Sequence, residues 1–333
     1  LRLETRNLRM QIQDIFRKYE PELKKVELSI TRNFISDIEL IPEISGYLVR
    51  SGGKRIRPLL LLICSDLCSY RGQRKYELAA VLEYIHTASL LHDDVVDSAR
   101  TRRGLTSANR VWGNSASVLV GDFLYSKAFK MISQDGNLPV VQLISAVTNV
   151  MAEGEVFQLV KSGDIGMTEE DYYALIRKKT AILISAACSL GAVLANAGQA
   201  KMHALSEFGL KVGTAFQMTD DTLDYAGSEK EFGKAIGTDL REGKITLPLI
   251  RALETCTKPE RERIGQILRK RSSGKADMAE VAEIIRRRNG IGYALDRARA
   301  MILEAKNLLN VFEDSEPKEA LLTFSDFILT RQK

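Results

Sequence analysis

Two carboxylate triplets carry the chemistry that this chain could perform. Asp93, Asp94 and Asp97 close the stretch LLHDDVVD, and Asp220, Asp221 and Asp224 repeat the DDxxD spacing in FQMTDDTLDY. On a helix, positions three and four apart are neighbours, so each triplet crowds three like charges onto roughly one face. A lone acidic triplet is ordinarily a solvated helix end. Two copies, each closing an apolar helical run, instead call for cations that offset the repulsion. All-oxygen sets suit hard cations, and Mg²⁺ takes one or two carboxylates and completes its shell with water and substrate phosphate. The triplets therefore imply phosphate-bearing ligands.

Basic residues supply the complement. GGKRIRP presents Lys54, Arg55 and Arg57 beside two glycines, and RTRRG presents Arg100, Arg102 and Arg103 just beyond the first triplet. Guanidinium forks grip phosphate oxygens in pairs, whereas a lysine acts as a point charge. GGKR lacks the GxxxxGK[ST] spacing of a P-loop. The three histidines (His86, His92, His203) and four cysteines (Cys64, Cys68, Cys188, Cys256) form neither a nucleophile context nor a zinc pattern. Metal-assisted ionisation of a diphosphate is the chemistry that remains.

The elements that must hold these residues read as helices. Seven prolines leave long intervals free of breakers, and Leu78, Val81, Leu82, Ile85, Ser89 and His92 recur at spacings of three and four. No stretch alternates with period two, so no strand is expected. Breaks fall at 51–58, 98–107, 133–139, 161–167, 226–248 and 269–277. Most are short connections, but the charged segment 226–248 is too long for a mere connector and reads as functional. No linker divides the 333 residues, which predicts a single domain with residues 1–36 as an N-terminal helical extension. A composition that is 45% hydrophobic can bury a sizeable core. The net charge of +5 comes from 48 basic and 43 acidic residues without a basic arm, which argues against a nucleic-acid partner. Unpaired cysteines and a charged N-terminus without an apolar segment point to the cytoplasm. The uncharged stretch TAILISAACSLGAVLANAGQA is long enough to span a membrane. Its Ala, Ser and Gly content reads better as a buried central helix, so no transmembrane segment is expected.

From about Asp37 to the C-terminus the chain resembles the trans-prenyltransferases, the isoprenyl (polyprenyl) diphosphate synthases. SGGKRIRP, HTASLLHDDVVD, RRG, ASVLVGDFLYSKAF, EGE, KKTA, GTAFQMTDDTLDY and GTDLREGKITLPL stand in the family's order. Within the family it is most similar to octaprenyl diphosphate synthases and their long-chain relatives. The resemblance implies an all-α isoprenoid synthase fold around a central cavity, usually a homodimer, with the two motifs facing each other across the cavity mouth. It implies head-to-tail condensation of isopentenyl diphosphate with an allylic prenyl diphosphate such as farnesyl, with Mg²⁺ as cofactor, and a quinone side chain as the product's destination. Asp93, Asp94, Asp97, Asp220, Asp221 and Asp224 match metal-holding positions. Arg102, Lys179, Thr180, Gln217, Lys234 and Lys244 match contacts to the allylic diphosphate. Lys54, Arg57, His86 and Arg103 match contacts to isopentenyl diphosphate.

Product length is expected to follow from the tunnel below the first motif. Ala88 and Ser89, one turn before Asp93, are small enough to leave it open, and Phe129, Ile132 and Ile144 are candidate floor residues. This favours a medium-to-long, octaprenyl-type product. A shorter farnesyl or geranylgeranyl product, a class I terpene cyclase, and a non-catalytic subunit of a heteromeric synthase remain as alternatives.

Overall fold

The computed structural model describes residues 10–226, 238–269 and 274–330, and they are almost entirely helical. Spatial neighbours group the chain into two compact units, each drawn from separate parts of the sequence.

The first unit comprises Leu1–Val141, Ala187–His203 and Leu309–Phe327. It contains α1 (Ile12–Asn33), α2 (Leu40–Arg50), α3 (Ile56–Leu67), α4 (Arg74–Val96), the short α5 (Ala108–Val111) and α6 (Asn114–Asp135). Helix α4 is its axis and packs against α1, α3 and α6. It is buried on nearly every face from Tyr76 to Leu91, as a helix enclosed by others must be. Leu59 to Cys64 of α3 are likewise fully buried. Hydrophobic burial at about 25 cal/mol per Å² makes such a helix the main source of cohesion in its unit.

The second unit comprises Gln142–Ala186, Ala204–Leu308 and Ile328–Lys333. It takes most of α7 (Leu138–Lys161), α8 (Glu169–Ile176), a π-helical turn at Arg177–Ala181, the start of α9 (Ile182–Leu194) and most of α10 (Gln199–Ala226). Beyond the short helix Thr238–Arg241, helix Leu247–Thr255 packs on Gly290–Leu308 and Lys275–Arg287.

Three local features depart from the sequence expectations. A two-residue antiparallel ladder pairs Thr101 with Thr106 and Arg102 with Leu105, where no strand was expected. It is too short to alternate visibly, and its reversal rests on Arg103 and Gly104, both at positive φ (51° and 81°), a geometry suited to a tight hairpin. The uncharged stretch between Lys179 and Lys201 is not one helix. It breaks after Leu194, where Asn196 and Gly198 take positive φ, leaving a buried helix of 13 residues, too short to span a membrane. Among the described residues the helix long and apolar enough for that, by length and composition only, is α7, with 28% of its apolar window buried.

Candidate functional site

In the first unit, α4 ends at the first triplet. Asp94 is fully buried, while Asp93 and Asp97 are half-buried, and the Asp97 N–H closes the helix on the Asp93 carbonyl at 2.8 Å. The hairpin folds back so that Arg102 grips Asp94 Oδ1 with both Nε and Nη2, each at 2.7 Å. Asn109 Nδ2 donates to the Asp94 carbonyl at 2.9 Å, tying α5 to the same helix end. The other carboxylate oxygen, Asp94 Oδ2, is buried and accepts no hydrogen bond among the described residues.

Beside this end lies a cluster of cations. Arg55 sits at φ 45° before α3 and bonds to Glu27 and to the buried Glu83, so it anchors its loop to α1 and α4. That anchoring turns its neighbours toward the hairpin: the Arg103 guanidinium lies within 3.1 Å of where a side chain on Gly53 would begin. Burial holds the Arg57 guanidinium below its ordinary pKa, and its Nε is buried with no acceptor among the described residues. Lys54 is exposed, with its ammonium 5.7 Å from the Phe327 ring centroid. His86 is half-buried, and burial together with Arg57, Arg103, Arg102 and Arg55 pushes its pKa well below 6.5. The structure thus brings Arg57, His86, Arg102 and Arg103 within electrostatic reach of one another.

In the second unit, Gln217, Asp220, Asp221 and Asp224 share one stripe of α10 at spacings of three and four. Gln217 Nε2 donates to Asp221 Oδ1 at 2.7 Å, and Thr180 Oγ1 donates to Gln217 Oε1 at 2.9 Å. Burial pushes the Asp221 carboxyl up to about 6, opposed by the Tyr172 and Gln217 hydrogen bonds and reinforced by Asp220. Lys179 lies on the π-turn and pairs with Glu155 of α7 at 2.7 Å. Such turns recur at functional sites, and this one fits because Gly213 of α10 gives Ala181 room: a Cβ there would come within 2.7 Å of the Ala181 Cα. Lys244 pairs with Glu242 at 2.6 Å. Lys234 lies outside the described residues.

Three residues that the sequence reading passed over belong here. Tyr172 donates its hydroxyl to Asp221 Oδ2 at 2.6 Å. Glu155 is the partner of Lys179. Asp239 donates its N–H to Asp224 Oδ2 at 3.0 Å, and burial plus the charges of Asp221 and Asp224 raise its carboxyl well above the usual range. Asp239 was within reach of sequence reasoning, since it lies in the charged segment 226–248. Glu155 closes the EGE stretch, which carried the family likeness without a role for its carboxylates, and Tyr172 alone stands at no motif spacing.

Among the candidate chain-length residues, Ala88, Ile132 and Ile144 are buried, Phe129 is exposed, and Ser89 is half-buried with its hydroxyl on the His86 carbonyl. Among the described residues no three carboxylates, histidines or thiols converge enough to cage a metal unaided. A cation held here would draw on one or two carboxylates and on ligand oxygens.

Comparison with known proteins agrees with this chemistry. The sequence profile of polyprenyl synthetase matches residues 38–285. The octaprenyl diphosphate synthase of Haemophilus influenzae is 38% identical over 316 residues, covering 95% of this chain and 96% of its own length. A short chain isoprenyl diphosphate synthase of Methanothermobacter thermautotrophicus is 37% identical, over 97% and 99%. A polyprenyl synthase of Caulobacter crescentus, solved with calcium and isoprenyl diphosphate, superposes with a TM-score of 0.93 at 37% identity, covering 98% of this chain and 99% of its own. With its helical fold, its paired aspartate motifs and likeness along nearly its whole length, the chain belongs to the polyprenyl synthetase family of prenyltransferases and is a head-to-tail condensing enzyme that builds a long all-trans polyprenyl diphosphate from isopentenyl diphosphate.

Proposed function

We propose that this prenyltransferase works with Mg²⁺, elongates an allylic diphosphate such as farnesyl diphosphate, and releases octaprenyl diphosphate. The observation that carries the metal is Asp94 Oδ2, a buried carboxylate oxygen without a donor. Leaving such an atom unpaired costs about 1–3 kcal/mol or more, and a hard cation against the first triplet satisfies it. The calcium in the Caulobacter relative is likewise a hard cation that takes oxygen ligands. When bound, Mg²⁺ would neutralise charge on the departing diphosphate.

In this reading Asp93, Asp94 and Asp97 hold metal in one unit, and Asp220, Asp221 and Asp224 do so in the other. Arg102, Lys179, Thr180, Gln217, Lys234 and Lys244 bind the allylic diphosphate. Lys179 gives up Glu155 for a phosphate oxygen as it does so. Lys54, Arg57, His86 and Arg103 bind isopentenyl diphosphate, and the orphaned Arg57 Nε acquires an acceptor there. These fixed cations stabilise charge that grows as the allylic C–O bond breaks. The double bond of isopentenyl diphosphate attacks the resulting carbocation, and the proton that is lost passes to the released diphosphate.

An octaprenyl product is supported by the Haemophilus relative and by the small, buried side chain of Ala88 one turn before Asp93, where a bulky residue would block a growing chain. A short product is the second reading, because the Methanothermobacter short-chain enzyme is almost equally similar. A homodimer in the cytoplasm is part of the proposal. It draws on the apolar residues that α6 leaves exposed and on four free thiols.

The test is to incubate the purified chain with labelled isopentenyl diphosphate, farnesyl diphosphate and Mg²⁺, and to size the dephosphorylated products. Octaprenol as the end point is expected, with shorter products from Ala88→Phe and a loss of about 10²–10³-fold in rate from Asp93→Ala. Arrest at geranylgeraniol would establish the second reading. Full activity in EDTA would refute the metal.

A further inference from the structure

Tyr172 stands in no motif, yet its hydroxyl is aimed at the second triplet. A capping box fixes it there. Thr168 Oγ1 accepts from the Asp171 N–H at 3.1 Å, the Asp171 carboxylate accepts from the Thr168 N–H at 3.2 Å, and Lys161 donates to that carboxylate at 2.8 Å. This sets the first turn of α8. The next residue, Tyr172, is 1% exposed and reaches Asp221 Oδ2 at 2.6 Å.

A buried tyrosine needs some acceptor, and a backbone carbonyl would serve. Here the acceptor is a carboxylate whose other oxygen is already held by Gln217, itself oriented by Thr180. Four carboxylates, Asp220, Asp221, Asp224 and Asp239, influence one another in this unit. Mutual repulsion would drive an untethered Asp221 into other rotamers. Charge-assisted bonds on both oxygens prevent this.

We propose that Tyr172 is a positioning residue: by clasping Asp221 from the side opposite Gln217, it holds the second triplet in the arrangement that takes a divalent cation. This rests on the metal-and-diphosphate reading of that triplet. Partners that orient a metal-binding group commonly contribute about 10–100-fold to affinity.

The test is Tyr172→Phe, which keeps the ring and removes the donor. Mn²⁺ binding is followed by electron paramagnetic resonance in the presence of inorganic diphosphate, alongside melting in EDTA and steady-state kinetics. Expected are Mn²⁺ affinity weaker by about 10–100-fold, an EDTA melting temperature like that of the wild type, and an unchanged KM for isopentenyl diphosphate at saturating metal. Wild-type Mn²⁺ affinity in the variant overturns the proposal. So does a loss of affinity accompanied by a lowered EDTA melting temperature, which marks a packing defect. Asp221→Asn and the double variant complete a cycle: once Asp221→Asn is in place, removing the Tyr172 hydroxyl should have little further effect, and an undiminished loss overturns the route through Asp221. Wild-type protein that binds no Mn²⁺ at all defeats the reading of the triplet instead, so the two failures are distinct.

Discussion

His86 shows how a single residue takes its character from its neighbours. Its ring is faced by Arg57 at the start of α3, by Arg55 before it, and by Arg102 and Arg103 of the hairpin, and burial with these cations keeps its pKa well below 6.5. The imidazole is therefore neutral at pH 7, with one nitrogen able to donate and the other to accept. The sequence identified the residue through its motif, but the neutral state arises from segments tens of residues apart. A histidine whose pKa is depressed by folding stabilises the fold above the unfolded value near 6.5. That contribution is lost as pH falls from there toward the folded pKa, because the unfolded chain binds the proton first. His86→Gln should accordingly lose less stability than the wild type between about pH 7.5 and pH 5.5, as read by urea melts at each pH. Proton NMR should place the imidazole midpoint of the free protein below 6.5. A midpoint above that value would remove the argument, along with the idea that His86 enters the site uncharged.

At the scale of elements, the position of the first triplet depends on how α4 meets α6, two helices in extensive contact. His92, next to Asp93, crosses to the α6 backbone, where its Nε2 lies 3.1 Å from the Val118 carbonyl and 3.4 Å from Asp122 Oδ1, and its ring stacks 6.0 Å from Tyr125. Gly121 makes the crossing possible, since a Cβ there would lie 2.3 Å from His92 Nε2. Gly121→Ala should therefore push the His92 ring off α6. The overpacking is partly offset by the roughly 0.5–1 kcal/mol that Ala gains over Gly inside a helix, so the net loss should stay within about 2 kcal/mol. His92→Ala in the same chain should recover part of that loss, and denaturant melts of the four proteins check it; purely additive losses would show that the ring is not what the methyl group meets. Apolar periodicity and the Gly, Ser and Pro punctuation made α4 and its end legible from sequence. The two-residue hairpin, the π-turn under Lys179 and the break at Asn196 were not. Each depends on a handful of backbone angles or a helix crossing, and none leaves a periodic signal.

For the whole molecule, composition and surface lead to opposite readings of the two apolar helices. The uncharged stretch after Lys179 is long enough by count to span a membrane, yet up to Leu194 it is interior, as its small residues, which allow close packing, led one to expect. Helix α7 has its mean hydropathy spread over more ordinary sequence, yet it leaves Val156, Leu159 and Val160 exposed, and α6 exposes Val118, Leu119 and Phe129. Large apolar side chains left exposed on a helix in this way mark that face for interaction, on α6 and on α7 each by itself. A bilayer is a poor occupant for α7, whose Glu153 and Glu155 are paired with Lys178 and Lys179; a charged side chain at the centre of a bilayer costs about 2.5–3.5 kcal/mol on insertion scales. A second copy of the chain needs no such sacrifice and would bury the apolar side chains, as obligate interfaces of about 2,000 Å² or more do. Purified without detergent, the protein should run as a dimer in size-exclusion chromatography with light scattering. Leu119→Glu, a substitution on the outer face of α6, should shift it to monomer at micromolar concentration with its helical circular dichroism intact. A wild-type monomer, or protein that stays in solution only with detergent, would give the exposed faces to some other occupant and leave the homodimer without its physical basis.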